Sequence, residues 1–174
     1  PIFRYVCNTG PRTVIAIALG ANLPSKVGSP LETLQSVIRQ FPEFDIRVKG
    51  VSHWYETTPV PASDQPLYVN GVASVETKAN PETLLNILQS IEDSHGRARR
   101  ELNAARTLDL DILDFEGRIE VGPPILPHPR LENRAFVLIP LRDIAPKWQH
   151  PVSGLGIDTL VSNLADLGEI RRIG

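Results

Sequence analysis

The spacing of apolar residues changes period several times along the chain, and each change marks an element. Residues 13–19 form a near-continuous apolar run rich in β-branched side chains, which predicts a central strand covered on at least one face. The run closes in Gly20-Ala21-Asn22-Leu23-Pro24, a turn where backbone can approach a ligand. Ser29-Pro30-Leu31-Glu32 joins an N-cap, a proline at the first helical position and a capping-box glutamate. Leu31, Leu34, Val37, Ile38 and Phe41 then recur at helical spacing, and Pro42 ends the helix.

Residues 44–51 and 53–57 read as a strand interrupted near Gly50, where a bulge is expected. Three prolines make 58–66 a loop, of the kind that covers a ligand. Residues 67–76 alternate as a strand that puts Tyr68 and Asn70 on one face. Asn80-Pro81-Glu82 caps a second helix with Leu84, Leu85, Leu88 and Ile91 as its buried stripe, and Gly96 is placed to end it. Another strand is expected within 106–113. The prolines of 123–129 then exclude helix and hold His128 in a stiff loop. Residues 132–141 start a short apolar helix or helical turn that is expected to end before Pro146. One more is predicted over 157–164, inside a packing and tail region spanning 147–174.

The order β-α-β-β-α-β predicts an α+β fold, a ferredoxin-like sandwich. Its antiparallel sheet would carry helices on one face, with extra helices C-terminal, and would offer the other face to substrates. The expected domain is a single unit over 13–174, preceded by a leader or linker remnant over 1–12.

Composition narrows the classes. A hydrophobic fraction of 41% in 174 residues is ordinary for a globular domain. The longest apolar run is far too short to span a bilayer, and a cytoplasmic protein is expected. One cysteine excludes an internal disulfide and agrees with a reducing compartment. A net charge of -2 gives no general attraction to nucleic acid or anionic membrane, so any phosphate site must be a local basic cluster.

The candidate chemistry lies in Arg106-Thr107-Leu108-Asp109-Leu110-Asp111-Ile112-Leu113. Side chains alternate along a strand, so Asp109 and Asp111 share one face while Leu108, Leu110 and Ile112 share the other. By the same alternation Asp114 falls on the apolar face, and it is expected past the strand end. Two adjacent carboxylates repel, and magnesium is the natural counterion, because it takes one or two carboxylates together with phosphate oxygens and water. Residues 97–106 hold four arginines and lead directly into this acidic strand. Arginine forks beside a magnesium-type acidic pair suit a polyphosphate substrate. Tyr68 and Asn70 could stack on a flat heterocycle and bond its edge. Gln89 and Glu92, one helical turn apart, can present polar groups together.

These blocks together resemble a known family, the 6-hydroxymethyl-7,8-dihydropterin pyrophosphokinases of folate biosynthesis. The resemblance runs from about Val14 to Pro146 through Gly20-Ala21-Asn22-Leu23, Tyr55-Glu56-Thr57-Thr58-Pro59, Asp64-Gln65-Pro66-Leu67-Tyr68-Val69-Asn70, Gly96-Arg97, Arg106-Thr107-Leu108-Asp109-Leu110-Asp111-Ile112, Pro127-His128-Pro129 and Asn133-Arg134-Ala135-Phe136. It implies transfer of pyrophosphate from ATP to the pterin hydroxymethyl oxygen, with release of AMP. It implies two magnesium ions on Asp109 and Asp111, with Arg97 and Arg106 supporting catalysis. Asn22, Thr58, Pro59, Tyr68, Asn70 and Phe136 would meet the pterin, the two rings sandwiching it. Glu92, Arg97, Arg99, Ile112, His128 and Arg134 would meet ATP.

Loops 58–67 and 97–106 resemble the family's mobile catalytic loops, which would close and exclude water. The pterin hydroxyl could be activated by magnesium or by Asp111. The second loop is one residue shorter than the family's, with Leu102-Asn103 where many relatives carry a basic residue and tryptophan. Pro129 and the pair Pro123-Pro124 also depart from ATP-contacting types. The expected partners are the two small substrates, with no nucleic acid and no membrane. A monomer is expected, fused to or acting beside other folate-pathway enzymes. Two rivals remain at this stage: another magnesium-dependent nucleotidyl or glycosyl transferase, which needs no convergence of Tyr68, Asn70 and Phe136, and a ferredoxin-like nucleic-acid binding module.

Overall fold

A computed structural model describes residues 13–96 and 105–174. Five strand pairings, all antiparallel, build a six-stranded sheet from β1 (Ile15–Ala21), β2 (Arg47–Val51), β3 (Trp54–Thr57), β4 (Tyr68–Glu76), β5 (Asp109–Phe115) and β8 (Ile170–Ile173). The order is β5-β1-β4-β3-β8, with β2 also paired to β4. Strands β2 and β3 are the two halves of the interrupted strand. The register of β2 against β4 slips between Val48 and Gly50, the expected bulge. A small hairpin of β6 (Glu120–Val121) and β7 (Ile125–Leu126) stands apart.

Helices α1 (Pro30–Gln40) and α2 (Pro81–Ser94) cover one face, as their stripes require. Ser29 and Glu32 close the full capping box of α1, while the Asn80 side chain accepts the Thr83 N–H at 2.8 Å to cap α2. Leu34, Val37, Leu84, Leu88 and Ile91 pack there against Ile15, Ile17, Leu19, Leu110 and Ile112. The other face is not fully open. Helices α3 (Ala135–Ile144) and α4 (Ile157–Ser162) form a second core on it, where Val137, Leu138, Leu141, Ile157, Leu160 and Trp148 meet Ala16, Val72 and Leu113. A three-residue turn, Leu131–Asn133, leads into α3, so the helix expected to start at 132 begins slightly later and ends at Ile144, before Pro146 as expected. The region read as packing and tail supplies an edge strand, β8, beside β3. No helix among the described residues is long and apolar enough to cross a membrane.

Asp114 corrects the sequence reading. It lies inside β5, and the β1–β5 register shifts between Ala16 and Ile17, so Ala16 faces Asp114 while Ile17 faces Ile112. The extra residue, Leu113, turns Asp114 away from the α1/α2 core and into the α3/α4 core. There it is fully buried, accepting the Trp148 indole N–H at 2.8 Å and the Gly117 N–H at 3.0 Å. Burial raises its pKa above the usual carboxylate range, against the pull of those bonds.

Candidate active site

Cross-strand register assembles the site. Asp109 stands opposite Gly20, Gly20 opposite Asn70, and Asn70 opposite Tyr55; one step along, Asp111 stands opposite Ala18 and Ala18 opposite Val72. Directly paired residues share a face, so Asp109, Asp111, Asn70 and Tyr55 all point to the α3 side. On β1 that face carries only Ala16, Ala18 and Gly20, whereas the helix-covered face carries Ile15, Ile17 and Leu19. The missing side-chain volume opens a basin of about 350 Å³ beside the end of α3.

Its walls are Thr57, Thr58, Pro59, Val60, Pro61, Gln65, Tyr68, Asn70, Arg106, Asp109, Asp111, His128, Pro129, Arg130, Arg134 and Phe136, over Gly20. Of the predicted residues, Thr58, Pro59, Tyr68, Asn70, Phe136, His128, Arg134, Arg106, Asp109 and Asp111 therefore converge. Others do not line it. Asn22 is buried behind the wall as a clasp: its Nδ2 donates to Gln65 Oε1 at 3.0 Å and to the Pro66 carbonyl at 3.2 Å, while its Oδ1 accepts the Arg106 N–H at 2.8 Å. Its own N–H returns to the Arg106 carbonyl at 3.0 Å, so one asparagine joins the ends of both flanking loops. Glu92 and Ile112 are buried on the helix side of the sheet, where Glu92 Oε1 accepts the Leu110 N–H at 3.3 Å. Arg97 and Arg99 lie outside the described residues.

The charges are arranged in opposition. Arg106 Nη1 meets Asp109 Oδ2 at 2.7 Å. The Arg134 guanidinium sits 5.4 Å from the Phe136 ring centre, a cation–π contact. Burial lowers the pKa of Arg134, and Asp111 opposes that effect most. His128 is pushed down to about 4, first by burial and then by the Arg134 charge, so it is neutral near pH 7. Its Nδ1 accepts the Arg130 N–H at 3.2 Å, which leaves the proton of the neutral ring on Nε2, free to donate. Burial raises the Tyr68 pKa and keeps its phenol protonated. Asn70 Nδ2 donates to Thr57 Oγ1 at 2.6 Å, which orients the amide.

Thr57, Gln65 and Arg130 line the basin without having been singled out in the sequence. Thr57 had a signal, since it shares Tyr55's face at a spacing of two; for Arg130 nothing in the local sequence separates it from any loop arginine. Among the described residues no group of three or more His, Cys, Asp or Glu side chains could cage a metal. Two carboxylates on one face, facing open volume and arginines, fit a cation that completes its shell with substrate oxygens and water.

A model of the 7,8-dihydro-6-hydroxymethylpterin-pyrophosphokinase (HPPK) family matches residues 16–146. The 2-amino-4-hydroxy-6-hydroxymethyldihydropteridine pyrophosphokinase of Pseudomonas aeruginosa is 40% identical over 79% of this chain and 83% of its own length. The enzyme of the same name from Haemophilus influenzae is 38% identical over 86% of this chain and 92% of its own. The folic acid synthesis protein fol1 of Pneumocystis carinii is 37% identical over 91% of this chain, which spans 21% of that longer protein. A crystal structure of Plasmodium falciparum HPPK-DHPS shares the fold, with a TM-score of 0.66 at 13% identity over 86% of this chain and 42% of that one.

Proposed function

The chain belongs to the 7,8-dihydro-6-hydroxymethylpterin-pyrophosphokinase family, and we propose that its basin is where that reaction runs. Pyrophosphate passes from ATP to the hydroxymethyl oxygen of 6-hydroxymethyl-7,8-dihydropterin, giving AMP and the pterin pyrophosphate for folate synthesis. The observation that carries this reading is convergence: Tyr68, Asn70 and Phe136 line the same basin as Asp109, Asp111 and the arginines. A generic nucleotidyl or glycosyl transferase has no use for that acceptor wall, and family membership sets the nucleic-acid module aside.

In this reading Tyr68 and Phe136 stack on the pterin, and the Asn70 amide, oriented by Thr57, bonds its edge. The pterin hydroxyl oxygen attacks the β-phosphorus of ATP, the bond from that phosphorus to the α-phosphate oxygen breaks, and AMP leaves with its electrons. Arg106 and Arg134 bind phosphate oxygens and stabilise charge as it shifts, the main protein contribution in phosphoryl transfer. Two magnesium ions fit Asp109 and Asp111, where they would neutralise phosphate charge and help align the groups. The hydroxyl proton passes to Asp111 or to solvent, and a magnesium ion held by the two aspartates would make that oxygen easier to deprotonate. His128, neutral, donates from Nε2 to the nucleotide. Asn22 and Gln65 tie the end of the 58–67 loop to Arg106 beside the site, and Arg97 and Arg99 would meet ATP. Thr58 and Pro59 border the pterin, while Glu92 and Ile112 serve the ATP side from behind β5. We further place the protein in the cytoplasm as a monomeric unit over 13–174, working beside or fused to other folate enzymes, a fusion seen in the longer relatives.

Incubation with ATP, magnesium and the hydroxymethyl dihydropterin should yield AMP and pterin pyrophosphate in equal amounts. ADP as the nucleotide product would overturn the reaction class. Asp109→Ala or Asp111→Ala should cut AMP formation on the order of a hundredfold or more with the fold unchanged by circular dichroism. Near-normal turnover in either variant would remove the metal assignment.

A further inference from the structure

Three arginines line the basin, and in the ligand-free protein two of them are held by protein groups. Arg106 is paired with Asp109 at 2.7 Å, and Arg134 lies over Phe136 in the field of Asp111. Arg130 differs, because its side chain is exposed and forms no ion pair or side-chain hydrogen bond among the described residues. Its backbone is nonetheless fixed. The Arg130 N–H donates to His128 Nδ1 at 3.2 Å, and its carbonyl accepts the Asn133 N–H at 3.2 Å. A held stem with an uncommitted guanidinium at a basin mouth suits an incoming anion.

The placement also says which ligand. Arg130 belongs to the same short loop as His128 and Arg134, whereas Tyr68 and Asn70 approach from β4. The pterin is uncharged, so the polyanion is the nucleotide. Arg130 also lowers the proton affinity of both His128 and Arg134, a like-charge repulsion that a polyphosphate would relieve.

We propose that Arg130 binds the β- and γ-phosphates of ATP and so discriminates the substrate nucleotide from the product AMP. This rests on the pyrophosphokinase reading. Because the two phosphates leave the nucleotide in the reaction, the contact is lost to AMP at the moment of transfer and favours release of that product.

The test is equilibrium titration of the whole chain, wild type, Arg130→Ala and Arg130→Lys, with magnesium α,β-methylene-ATP, with AMP and with the hydroxymethyl dihydropterin. For Arg130→Ala, analogue affinity should fall about fivefold, matching one charge-assisted bond at a solvated rim. AMP and pterin affinity should stay within about twofold, and Arg130→Lys should recover part of the loss. Raising the salt should shrink the difference between wild type and Arg130→Ala. Unchanged analogue affinity in Arg130→Ala, or an equal loss for AMP, overturns the assignment. If wild type itself binds no analogue and forms no AMP, the pyrophosphokinase reading falls first; if wild type does both and the alanine variant matches it, only Arg130 falls.

Discussion

At the scale of single residues, the site depends on what is absent as much as on what is present. A Cβ added at Gly20 would stand 2.8 Å from Asn70 Oδ1, and the strand leaves the Asn70 amide as the group that must move. Gly20→Ala should therefore displace the Asn70 amide, proposed to read the pterin edge, from its bond to Thr57. We expect about a tenfold loss of pterin affinity, with ATP affinity nearly unchanged, by separate calorimetric titrations. His128 gives a second test. A histidine depressed in the folded state binds its proton later than the unfolded chain does, so its stabilising contribution is present above about pH 6.5 and is lost as pH falls towards 4. The ring resonance of the ligand-free protein should titrate near 4 by NMR; a midpoint near 6.5 would contradict the buried, arginine-flanked placement.

Elements explain what single residues cannot. Asp143, in the last turn of α3, accepts the Tyr55 hydroxyl at 2.7 Å and the His53 N–H at 3.2 Å on one oxygen. Phe136 lies seven positions earlier, two turns up the same stripe. One carboxylate thus pins to β3 the helix that carries a wall of the basin, and Tyr55 stands opposite Asn70, which belongs to another wall. Tyr55→Phe should cost about 1–2 kcal/mol in urea unfolding and weaken pterin binding more than ATP binding; equal effects on both ligands would make the pin purely structural.

At this scale one can also see what the sequence could reveal. Capping residues, stripes and strand alternation are local, so α1, α2 and the shared face of Asp109 and Asp111 were legible. The bulge at Leu113 is decided by pairing with β1, which no local pattern announces, and it sent Asp114 to the opposite face. Strand β8, Ile-Arg-Arg-Ile, is too short to declare itself until β3 offers an edge. Asn22, Glu92 and Ile112 stand in the right blocks, but their side chains point into clasp and core rather than into the basin.

The whole molecule is a sheet with two cores of unlike character. The α1/α2 core is largely apolar, with the Glu92 carboxyl buried at its edge beside Leu110, whereas the α3/α4 core encloses the Asp114 carboxylate and the Trp148 indole. A carboxyl whose folded pKa is raised stabilises most below its ordinary value of 3.8 and loses that contribution as pH rises through the folded pKa. Asp114→Asn should therefore melt below wild type by a margin that narrows from pH 4 to pH 7. Thermal melts at the two pH values check the sign, and a widening margin would mean that the carboxylate is favoured in the folded state.

The run Ala16, Ala18, Gly20 has a consequence for how such a domain changes over time. Room for the basin is left by Ala18 and Gly20, on a central strand whose reverse row is packed with isoleucine and leucine. Folding and chemistry are thus assigned to opposite sides of the same seven residues, Ile15–Ala21. At Ala18 and Gly20 a bulkier side chain would intrude on the basin without disturbing the α1/α2 core, whereas Ala16 is packed in the α3/α4 core. Mutation at Ala18 or Gly20 can impair the site while sparing the α1/α2 core, so persistence of a small residue at 18 and 20 across descendants would report selection on the site, whereas persistence at 16 would report packing of the second core.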